Sequence, residues 1–450
     1  MTSLSVLILA AGKGVRLKSD LPKVLHRLAG RPLIEYALEA AEAVTESKPV
    51  LVIGHGAEAV RAALGERAGY VMQSEQLGTG HAVQQAESVL KNKSDLVLVT
   101  YGDMPLLRAE TLQALVEAQT QNLGPITLLT INSEKLNDFG RVVRDAIGGN
   151  VLAVVEAAQA TPEQKRLTEF NVGAYCFKAD WLWDALPRLP LSPKGEYYLT
   201  DVVHLASADG GHIATITLED ETEVIGINTR AQLAEAETAL RRRVNEKWMD
   251  AGVTLIDPAT TYIDLRAQLG HDTCLLPNTH IWGRSVVGEN CVIGPNTIVR
   301  DTVIGDRCRV ECSVLESAFL ADEVEVGPFA HLRPGARLER GVHLGNFGEV
   351  KNSTLGPGTL MGHFSYIGDA TVGAGVNIGA GTITCNFDGV KKNPTVIEDG
   401  AFVGSDTLLV APVKVGERGR TGAGAVVTKD VPPDSLAVGM PARVIRKLKS

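Results

Sequence analysis

A loop rich in small residues directly follows the first apolar run of this 450-residue sequence. It reads Leu9-Ala10-Ala11-Gly12-Lys13-Gly14-Val15-Arg16-Leu17, and Leu21-Pro22-Lys23 comes shortly after. Small residues let backbone N–H groups approach phosphate oxygens closely, and Arg16 and Lys23 add positive charge. The spacing matches neither a Walker A loop nor a complete dinucleotide fingerprint. The pattern indicates a phosphate-binding loop, with a tight strand–helix turn carrying solvated basic residues as the alternative.

Later segments add polar groups that suit the same chemistry. A second polar loop with glycines runs from Gln73 to Gly80 (QSEQLGTG). Asp103 follows an apolar run at 96–100, and Asn228 ends the segment GIN. Carboxylate and amide oxygens are hard ligands that suit Mg²⁺ beside substrate phosphates. A lone Asp after a strand is more often a helix cap, but beside a phosphate-binding loop the metal interpretation is favoured.

A histidine in the second half of the chain could act as a base. His363 comes two places after Met361, a residue expected to point inward, so the imidazole should point outward. Histidine can take a proton near neutral pH. Most outward histidines are ordinary surface residues, and His331 and His343 are equally plausible candidates from the sequence alone.

Three neighbouring features favour His363 over the other histidines. Glu349 and Lys351 bracket an inward residue on a nearby coil, and Ala380 occupies the place equivalent to His363 one coil above. The segment 385–396 (CNFDGVKKNPTV) contains Asn386 and two turn signals, and it breaks the surrounding repeat. We therefore expect it to leave the fold as a loop, either functional or a tolerated insertion.

The repeat itself has a period of six. Aliphatic residues recur at this spacing, with slips of one residue, from Ile281 to Val427. This period is typical of a hexapeptide β-helix, in which three short strands form one triangular coil. At ~18 residues per coil, roughly eight or nine coils are expected. Cys274, Cys291 and Cys308 precede apolar residues by two places, so we interpret them as small buried side chains rather than metal ligands.

The first half of the chain has a different pattern. Apolar runs at 5–10, 50–53 and 96–100 suit buried parallel strands, and 32–44 and 110–121 have helical spacing. We predict an α/β doubly wound, Rossmann-like domain at residues 1–228, with its ligand beyond the carboxyl ends of the strands. Residues 229–250 predict a connecting helix, and 251–450 a left-handed parallel β-helix with a C-terminal tail.

Composition limits the partners and the compartment. The net charge of −9 disfavours a nucleic-acid partner. No apolar run approaches the ~20 residues that cross a bilayer, and no signal peptide is apparent. The six cysteines form no C-x-x-C pair, so we expect a cytoplasmic protein without a membrane partner.

Several motifs also carry a family resemblance. LAAGKGVRLKSDLPK, EQLGTGHA, YGDMPL, FGRV and NVGAY resemble the sugar-1-phosphate nucleotidyltransferases. With HFSYIGDA and NIGAGTITCNFDG included, nearly the whole chain resembles the bacterial bifunctional family that joins an N-acetylglucosamine-1-phosphate uridylyltransferase to a glucosamine-1-phosphate N-acetyltransferase. The resemblance implies an enzyme that first acetylates glucosamine 1-phosphate with acetyl-CoA. It then transfers uridylyl from UTP to N-acetylglucosamine 1-phosphate. A homotrimer is also implied.

For the first domain, the resemblance implies three groups of residues. Uridine and the loop would be held by Leu9, Ala10, Ala11, Gly12, Gln73, Gly78 and Thr79, and the phosphates by Lys23 and Arg16. The sugar side would be lined by Tyr101, Gly102, Gly140, Glu156, Asn171 and Asn228. Mg²⁺ would be held by Asp103 and Asn228.

For the second domain, the resemblance implies that His363 is the base and that Glu349 orients it or relays the proton. The sugar phosphate would contact Arg333 and Lys351, and the sugar would contact Tyr366, Asn377 and Asn386. The coenzyme would lie near Ala380, Ser405 and Ala423. Met440 stands where the family often has an arginine, so Arg443 is the candidate substitute for that contact.

Two other interpretations remain open. The chain could be a single-activity sugar-1-phosphate nucleotidyltransferase whose β-helix is structural or regulatory. It could also be a non-catalytic scaffold, although the glycine loop with Lys23 and Asp103 disfavours this. The segments GHFSYIGDA and GAGTITCN favour two activities, because a purely structural prism needs no loop beside a histidine.

Overall fold

A computed structural model describes residues 2–136, 139–146 and 149–447. The chain forms two compact units, Met1–Leu240 and Arg241–Ser450. A 21-residue helix, Arg230–Asp250, contains the last residues of the first unit and the first residues of the second. Its sequence contains neither glycine nor proline, so nothing in it interrupts a continuous helix.

The first unit is built on one mixed sheet. Its main path runs in the order β11-β7-β10-β6-β1-β4-β5, and β8 pairs with both β10 and β9. The strands are β1 Leu4–Ala10, β2 Arg27–Leu28, β3 Arg31–Pro32, β4 Val50–Ile53, β5 Gly69–Met72, β6 Leu96–Tyr101, β7 Ile126–Asn132, β8 Arg141–Arg144, β9 Val151–Val155, β10 Glu169–Lys178 and β11 Ile213–Leu218; β2 and β3 form a separate pair. The predicted doubly wound fold is confirmed, with β10 antiparallel between β6 and β7.

Helices cover this sheet because its strands are apolar on both faces. They are α1 Leu33–Glu42, α2 Ala57–Leu64, α3 Thr79–Gln84, α4 Glu87–Leu90, α5 Ala109–Gln121, α6 Ala179–Ala185 and α7 Asp201–Ala208, followed by the helix Arg230–Asp250 as α8. Every residue of β1 from Ser5 to Ala10 is buried. β1 pairs in parallel with β4 on one side and β6 on the other. The strand order therefore reverses at β1, which opens a crevice beyond its carboxyl end.

The second unit is a three-faced parallel β-helix, as the repeat predicts. Its first face contains Thr254–Leu255, Cys274–Leu275, Val292–Ile293, Arg309–Val310, Glu325–Val326, His343–Leu344, Leu360–Met361, Asn377–Ile378, Phe402–Val403 and Arg420–Thr421. Its second face contains Tyr262–Ile263, His280–Trp282, Ile298–Arg300, Val314–Glu316, His331–Leu332, Gly348–Lys351, Ser365–Gly368, Ile383–Cys385, Leu408–Val410 and Val426–Val427. Its third face contains Gln268–Leu269, Val286–Val287, Val303–Ile304, Phe319–Leu320, Arg337–Leu338, Thr354–Leu355, Ala370–Val372, Thr395–Ile397 and Val413–Val415.

The repeat agrees with the sequence expectations in the number of coils and differs from them in one detail. The described faces hold ten, ten and nine coil strands, so nine complete coils are present, as expected. Cys291 and Cys308 are buried as expected, but Cys274 is not, because Leu275 rather than Leu276 points inward there. Thr273 fills the small interior position instead.

The extra segment also differs in detail, and the tail forms a hairpin on the last coil. Cys385 stays in its strand and pairs with Val410, so the segment that leaves the coil begins one residue later, at Asn386. After the last coil, Ser435–Gly439 adds a parallel strand to the first face, and Ala442–Lys447 returns antiparallel to it. This hairpin covers the open backbone edge of that face. Among the described helices, none has the length and apolar composition needed to cross a membrane.

Candidate active sites

The first site is a cleft of about 330 Å³ at the carboxyl edge of the sheet in the first unit. Its lining includes the start of the glycine loop and part of the second polar loop, and the predicted residues in it are Leu9, Ala10, Ala11, Gly12, Lys23, Gln73, Gly78, Thr79, Tyr101 and Asp103. Gly102 is buried directly between the last two of these residues. The cleft also contains Val24, Gln76, Ala82, Glu196 and Tyr198, which the sequence analysis did not single out.

Close backbone approaches fix the position of Lys23. Gly14 has a φ of 62°, and a Cβ there would lie 2.6 Å from the Cβ of Lys23. Gly56 has a φ of 70°, and a Cβ there would collide with the ring of Pro22. Both conformations and both contacts favour glycine, because an L side chain is strained at positive φ. Gly14 therefore packs tightly on Lys23, and Gly56 packs tightly on the neighbouring Pro22.

Lys23 joins the two residues expected to hold the metal. Its ammonium is ion-paired with Asp103 and donates a 2.6 Å hydrogen bond to the amide oxygen of Asn228. The side chains of Lys23 and Asp103 are 11% and 22% exposed, so water screens this pair only partly. A carboxylate oxygen and an amide oxygen thus already contact one positive charge.

The second polar loop is held by a distant segment. Gly80 N donates to Tyr197 O at 2.8 Å, Tyr197 N donates to Leu77 O at 2.8 Å, and Leu199 N donates to the Thr79 hydroxyl at 2.9 Å. Gln76 crosses to the glycine loop and donates a 2.7 Å hydrogen bond to Ala11 O. These contacts close one wall of the cleft and bring Glu196 and Tyr198 into its lining. Only the glycine and tyrosines of the segment KGEYYLTD could have suggested this from the sequence.

A bulge in β10 shapes the part of the site behind Tyr101. The pairing of β10 with β7 changes register between Asn171 and Tyr175. Within it, a Cβ on Gly173 would lie 2.7 Å from the Tyr101 ring. Asn171 is buried and donates to the Tyr175 hydroxyl at 2.7 Å. Bulges next to binding sites commonly redirect side chains in this way.

Glu156 and Gly140 lie next to this bulge. Gly140 O accepts a 2.8 Å hydrogen bond from Asn171 N. Glu156 accepts a 2.9 Å hydrogen bond from the Thr200 hydroxyl. Burial raises the pKa of Tyr101, and the negative charges of Glu156 and Asp103 raise it further. Tyr101 therefore stays a neutral hydrogen-bonding phenol.

Arg16 lies in a second, wider cleft of about 670 Å³ that shares Tyr101 and Asp103 with the first. Asn228 also lines this cleft, and Arg16 is exposed within it. The two clefts therefore meet at Tyr101 and Asp103. This arrangement leaves room for one molecule on each side of the charged cluster.

The second unit brings several predicted residues into one column. Leu360, Asn377, Phe402 and Arg420 are paired in successive coils of the first face. The residues three places after them occupy the same corner, one above the other, and these are His363, Ala380, Ser405 and Ala423. His363, Ser405 and Ala423 are exposed. Among the described residues, the Ala380 N–H donates to no protein acceptor.

A cationic cluster lies on the adjacent second face. The ammonium of Lys392, from the extra loop, is close enough to Lys351 to lower the pKa of Lys351, and Arg333 lowers it further. Repulsion between like charges is the cause. Arg333 and Lys351 are neighbours in the register of this face, and with Lys392 nearby this cluster of positive charge favours an anion such as phosphate. The sequence analysis missed Lys392, because nothing in the chain order shows that the loop folds back towards Lys351.

The remaining predicted residues lie around this cluster or away from it. Glu349 accepts a 2.9 Å hydrogen bond from Arg333, and within the described chain no hydrogen bond joins it to His363. Tyr366 follows Glu349 in the register of the second face, and Asn386 lies 3.5 Å from the Tyr366 hydroxyl. Asn377 is on the first face below the corner. Arg443 is exposed on the last strand.

These two arrangements define the class of the protein. A glycine loop at the reversal point of an α/β sheet is joined to a column of hexapeptide coils, so the chain combines a nucleotidyltransferase fold with a hexapeptide-repeat transferase fold. The family described as MobA-like NTP transferase domain matches residues 6–189. The family described as bacterial transferase hexapeptide (six repeats) matches residues 266–301.

Relatives match along the whole chain. It is 49% identical over 435 residues to the bifunctional protein GlmU of Heliobacterium modesticaldum, covering 96% of this chain and 95% of that one. It is 47% identical over 437 residues to GlmU of Syntrophomonas wolfei, covering 97% of each chain. GlmU of Thermotoga maritima is 46% identical over 442 residues, which cover 98% of this chain and 97% of the relative. The chain belongs to the family of bifunctional GlmU proteins and is a transferase with two activities.

Proposed function

We propose that the first unit transfers uridylyl from UTP to N-acetylglucosamine 1-phosphate. The observation that carries this is the Lys23–Asp103–Asn228 cluster beside the glycine loop. A phosphate oxygen of the sugar attacks the α-phosphorus of UTP, and the bond from that phosphorus to the bridging oxygen breaks, releasing pyrophosphate. The attacking oxygen is already an anion near neutral pH, so no general base is needed. Positioning and charge neutralisation supply the catalysis.

The residues divide between the two substrates. Arg16 and Lys23 bind the phosphates. The uridine side consists of Leu9, Ala10, Ala11, Gly12, Gln73, Gly78 and Thr79, and the sugar side consists of Tyr101, Gly102, Gly140, Glu156, Asn171 and Asn228. The support for this division is that the two clefts meet at the charged cluster, where transfer has to occur.

The same cluster suits Mg²⁺. Asp103 and Asn228 supply a carboxylate and an amide oxygen that converge on one ammonium, which is the donor chemistry a hard cation needs. In the described residues, no three His, Cys, Asp or Glu side chains group as a metal site would. The remaining ligands would be water and substrate phosphates. When bound, Mg²⁺ would neutralise charge on those phosphates.

The second unit transfers acetyl from acetyl-CoA to glucosamine 1-phosphate. The sugar amine attacks the thioester carbonyl, the carbon–sulfur bond breaks, and the thiolate leaves as the coenzyme thiol. His363 takes the proton, because only the neutral amine can attack. Glu349 orients His363 or relays its proton when the substrate displaces its present contact with Arg333. The free N–H of Ala380, one coil above His363, suits the oxyanion.

The amino sugar phosphate binds beside His363. Arg333, Lys351 and Lys392 bind the phosphate, since Lys392 and Arg333 both lie near enough to Lys351 to lower its pKa. Tyr366, Asn377 and Asn386 contact the sugar. The coenzyme follows the corner column of Ala380, Ser405 and Ala423, with Arg443 as a further contact. This acetylation comes first, because its product is the acceptor for uridylyl transfer.

Exposed aromatic residues support a homotrimer. Phe329, Phe347 and Phe364 are each more than half exposed, and the rings of Phe329 and Phe347 stack with centroids 5.3 Å apart. Phe364 immediately follows His363, so this aromatic column borders the acetyl site. A contiguous exposed aromatic column marks an interface, and a neighbouring copy of the chain would complete the site.

The two activities divide along the chain at the linker helix. Residues 1–228 carry uridylyl transfer, 229–250 connect the activities, and 251–450 carry acetyl transfer. A cytoplasmic location fits six free cysteines.

Two substitutions test the assignment together. Asp103→Ala should lose pyrophosphate release from UTP and keep thiol release from acetyl-CoA, and His363→Ala should do the reverse. His343→Ala is the matched control, because this half-exposed histidine on the same prism is paired with Glu325. If His363→Ala released thiol at the parent rate, His363 would not be the base of acetyl transfer.

A further inference from the structure

One corner of the prism carries three polar residues in successive coils. Asn352, Asp369 and Asn386 each follow directly after a strand of the second face, and each occupies the corner that leads towards the third face. Asp369 has a left-handed backbone, with a φ of 51°. Its side chain is only 14% exposed, which is low for a carboxylate at a corner.

The carboxylate of Asp369 contacts both ends of the extra loop. Oδ2 accepts a 2.5 Å hydrogen bond from Asn386 Nδ2, at the start of the loop. Lys392 Nζ lies 3.8 Å from the same oxygen, near the end of the loop. Oδ1 accepts a 2.6 Å hydrogen bond from Asn352 Nδ2 in the coil below. One carboxylate therefore ties the loop to the body of the prism.

The loop is held together internally, so fixing its base fixes its orientation. Asn393 N donates to Asn386 O at 2.7 Å, which closes the neck. Asp388 accepts hydrogen bonds from Val390 N at 2.9 Å, Lys391 N at 2.8 Å and Asn393 Nδ2 at 2.9 Å. Such a turn moves as one body, and its attachment to Asp369 sets where Lys392 lies.

Placing Lys392 beside Lys351 has an electrostatic cost. The two ammonium groups repel each other, and Arg333 adds a third positive charge nearby. Without substrate, a nearby negative charge offsets this repulsion, and Asp369 lies 3.8 Å from Lys392. Its partly buried carboxylate is weakly screened and therefore effective.

We propose that Asp369 is a positioning residue for the acetyl acceptor. It holds Asn386 towards the sugar and Lys392 towards the phosphate of glucosamine 1-phosphate without contacting the substrate itself. This inference rests on the acetyl-transfer site proposed above. It assigns the loop a defined purpose, which is to deliver one cation and one amide into a site otherwise built on the prism face.

Loss of the carboxylate should weaken acceptor binding selectively. We expect Asp369→Ala to raise KM for glucosamine 1-phosphate about tenfold or more, because the hydrogen bonds it removes are charge-assisted. KM for acetyl-CoA should change less than about twofold, since the corner column is separate. Asp369→Asn keeps the shape and one acceptor but loses the charge facing Lys392, so it should give an intermediate KM.

The experiment measures thiol and pyrophosphate release on the full chain, with thermal unfolding as a folding check. Asp301→Ala is the matched control. Asp301 occupies the same corner four coils below, also with a left-handed backbone (φ 46°), but its carboxylate accepts a 3.0 Å hydrogen bond from the backbone N–H of Arg284. Asp301→Ala should leave both reactions unchanged.

A double mutant tests whether Asp369 acts through the loop cation. In a Lys392→Ala background, Asp369→Ala should raise KM much less than it does alone, because the residue it positions is gone. The inference would be overturned if Asp369→Ala and Asp301→Ala changed the acceptor KM equally, or if the acceptor KM of Asp369→Ala stayed within about twofold of the parent value. It would also be overturned if the KM effects of Asp369→Ala and Lys392→Ala were fully additive in the double mutant. Absence of thiol release from the parent protein would instead overturn the proposed acetyl transfer. If Asp369→Ala fails to fold, Asp369→Asn decides the question by the same KM comparison.

Discussion

Lys23 is ion-paired with Asp103 although 80 positions separate them in the chain. The contact exists because β1 and β6 are neighbouring parallel strands, so the loops at their carboxyl ends meet at one edge of the sheet. Asn228 reaches the same ammonium from the start of the last helix of the first unit. Three separate segments thus form one charged centre.

Removing the ammonium should disable uridylyl transfer without unfolding the protein. We expect Lys23→Met to reduce kcat for pyrophosphate release by about 10²–10³, because a preorganised charge beside the reacting phosphates is lost. Lys18→Met is the control, since Lys18 is an exposed lysine of the same loop. Thiol release should be unchanged in both variants. Equal pyrophosphate release by Lys23→Met and the parent would remove Lys23 from the mechanism.

Chelation of divalent cations should separate the two activities. Excess chelator should stop pyrophosphate release, because the Asp103 carboxylate repels phosphate unless a metal cation lies between them. Thiol release should continue, since acetyl transfer uses His363 and needs no metal in the proposed mechanism. Adding Mg²⁺ back restores the first activity. Persistence of pyrophosphate release in chelator would contradict the metal assignment to these two residues.

The charge of the extra loop should set the pH dependence of acceptor binding. Lys392 lowers the pKa of Lys351 below its ordinary 10.5, so Lys351 loses its proton, and its hold on phosphate, at a lower pH than a free lysine. KM for glucosamine 1-phosphate should therefore rise with increasing pH through that lowered pKa. In Lys392→Ala, KM is higher at neutral pH, but its further rise moves to higher pH because the cation that lowers the pKa of Lys351 most is gone. Lys391→Ala, the adjacent exposed lysine, should keep the parent profile.

Gly56, which packs on Pro22, should affect uridylyl transfer as well as stability. Gly56→Ala combines left-handed strain, about 1–2 kcal/mol, with a collision against the Pro22 ring that displaces Lys23. Gly210→Ala is the control, because Gly210 has a φ of 75° but no atom within 4 Å of a Cβ. Chemical denaturation should show a loss of stability in both variants. A selective loss of pyrophosphate release should appear in Gly56→Ala alone.

The aromatic column of Phe329, Phe347 and Phe364 should be required for the trimer and for acetyl transfer. Phe347→Glu places a charge among Phe329 and Phe364, and we expect sedimentation to show monomers. Thiol release should fall with the trimer, while pyrophosphate release persists because its cleft lies wholly within the first unit. Phe402→Glu, a similarly exposed phenylalanine on the first face, should stay trimeric. If Phe347→Glu remained trimeric, the trimer interface would not include the aromatic column.

Local sequence patterns determined much of what is described above. The six-residue period of aliphatic residues specified a triangular prism, because only a coil with three short strands returns its apolar positions to the interior at that spacing. The glycine loop after an apolar strand, and Asp103 after another, specified an α/β sheet with a charged carboxyl edge. These features depend on neighbours in the chain, so one sequence is enough to recognise them.

Tertiary structure alone decided how distant segments meet. The coil register placed Leu275 rather than Leu276 inside, which turned Cys274 outward although Cys291 and Cys308 remained buried. Lys392 comes close to Asp369 only because the extra loop closes on itself between Asn386 and Asn393 and is attached to the prism at Asp369. Long-range contacts of this kind depend on register and on the direction a loop takes. A sequence period predicts neither the register nor the loop direction, because the residues involved are neighbours in space and not along the chain.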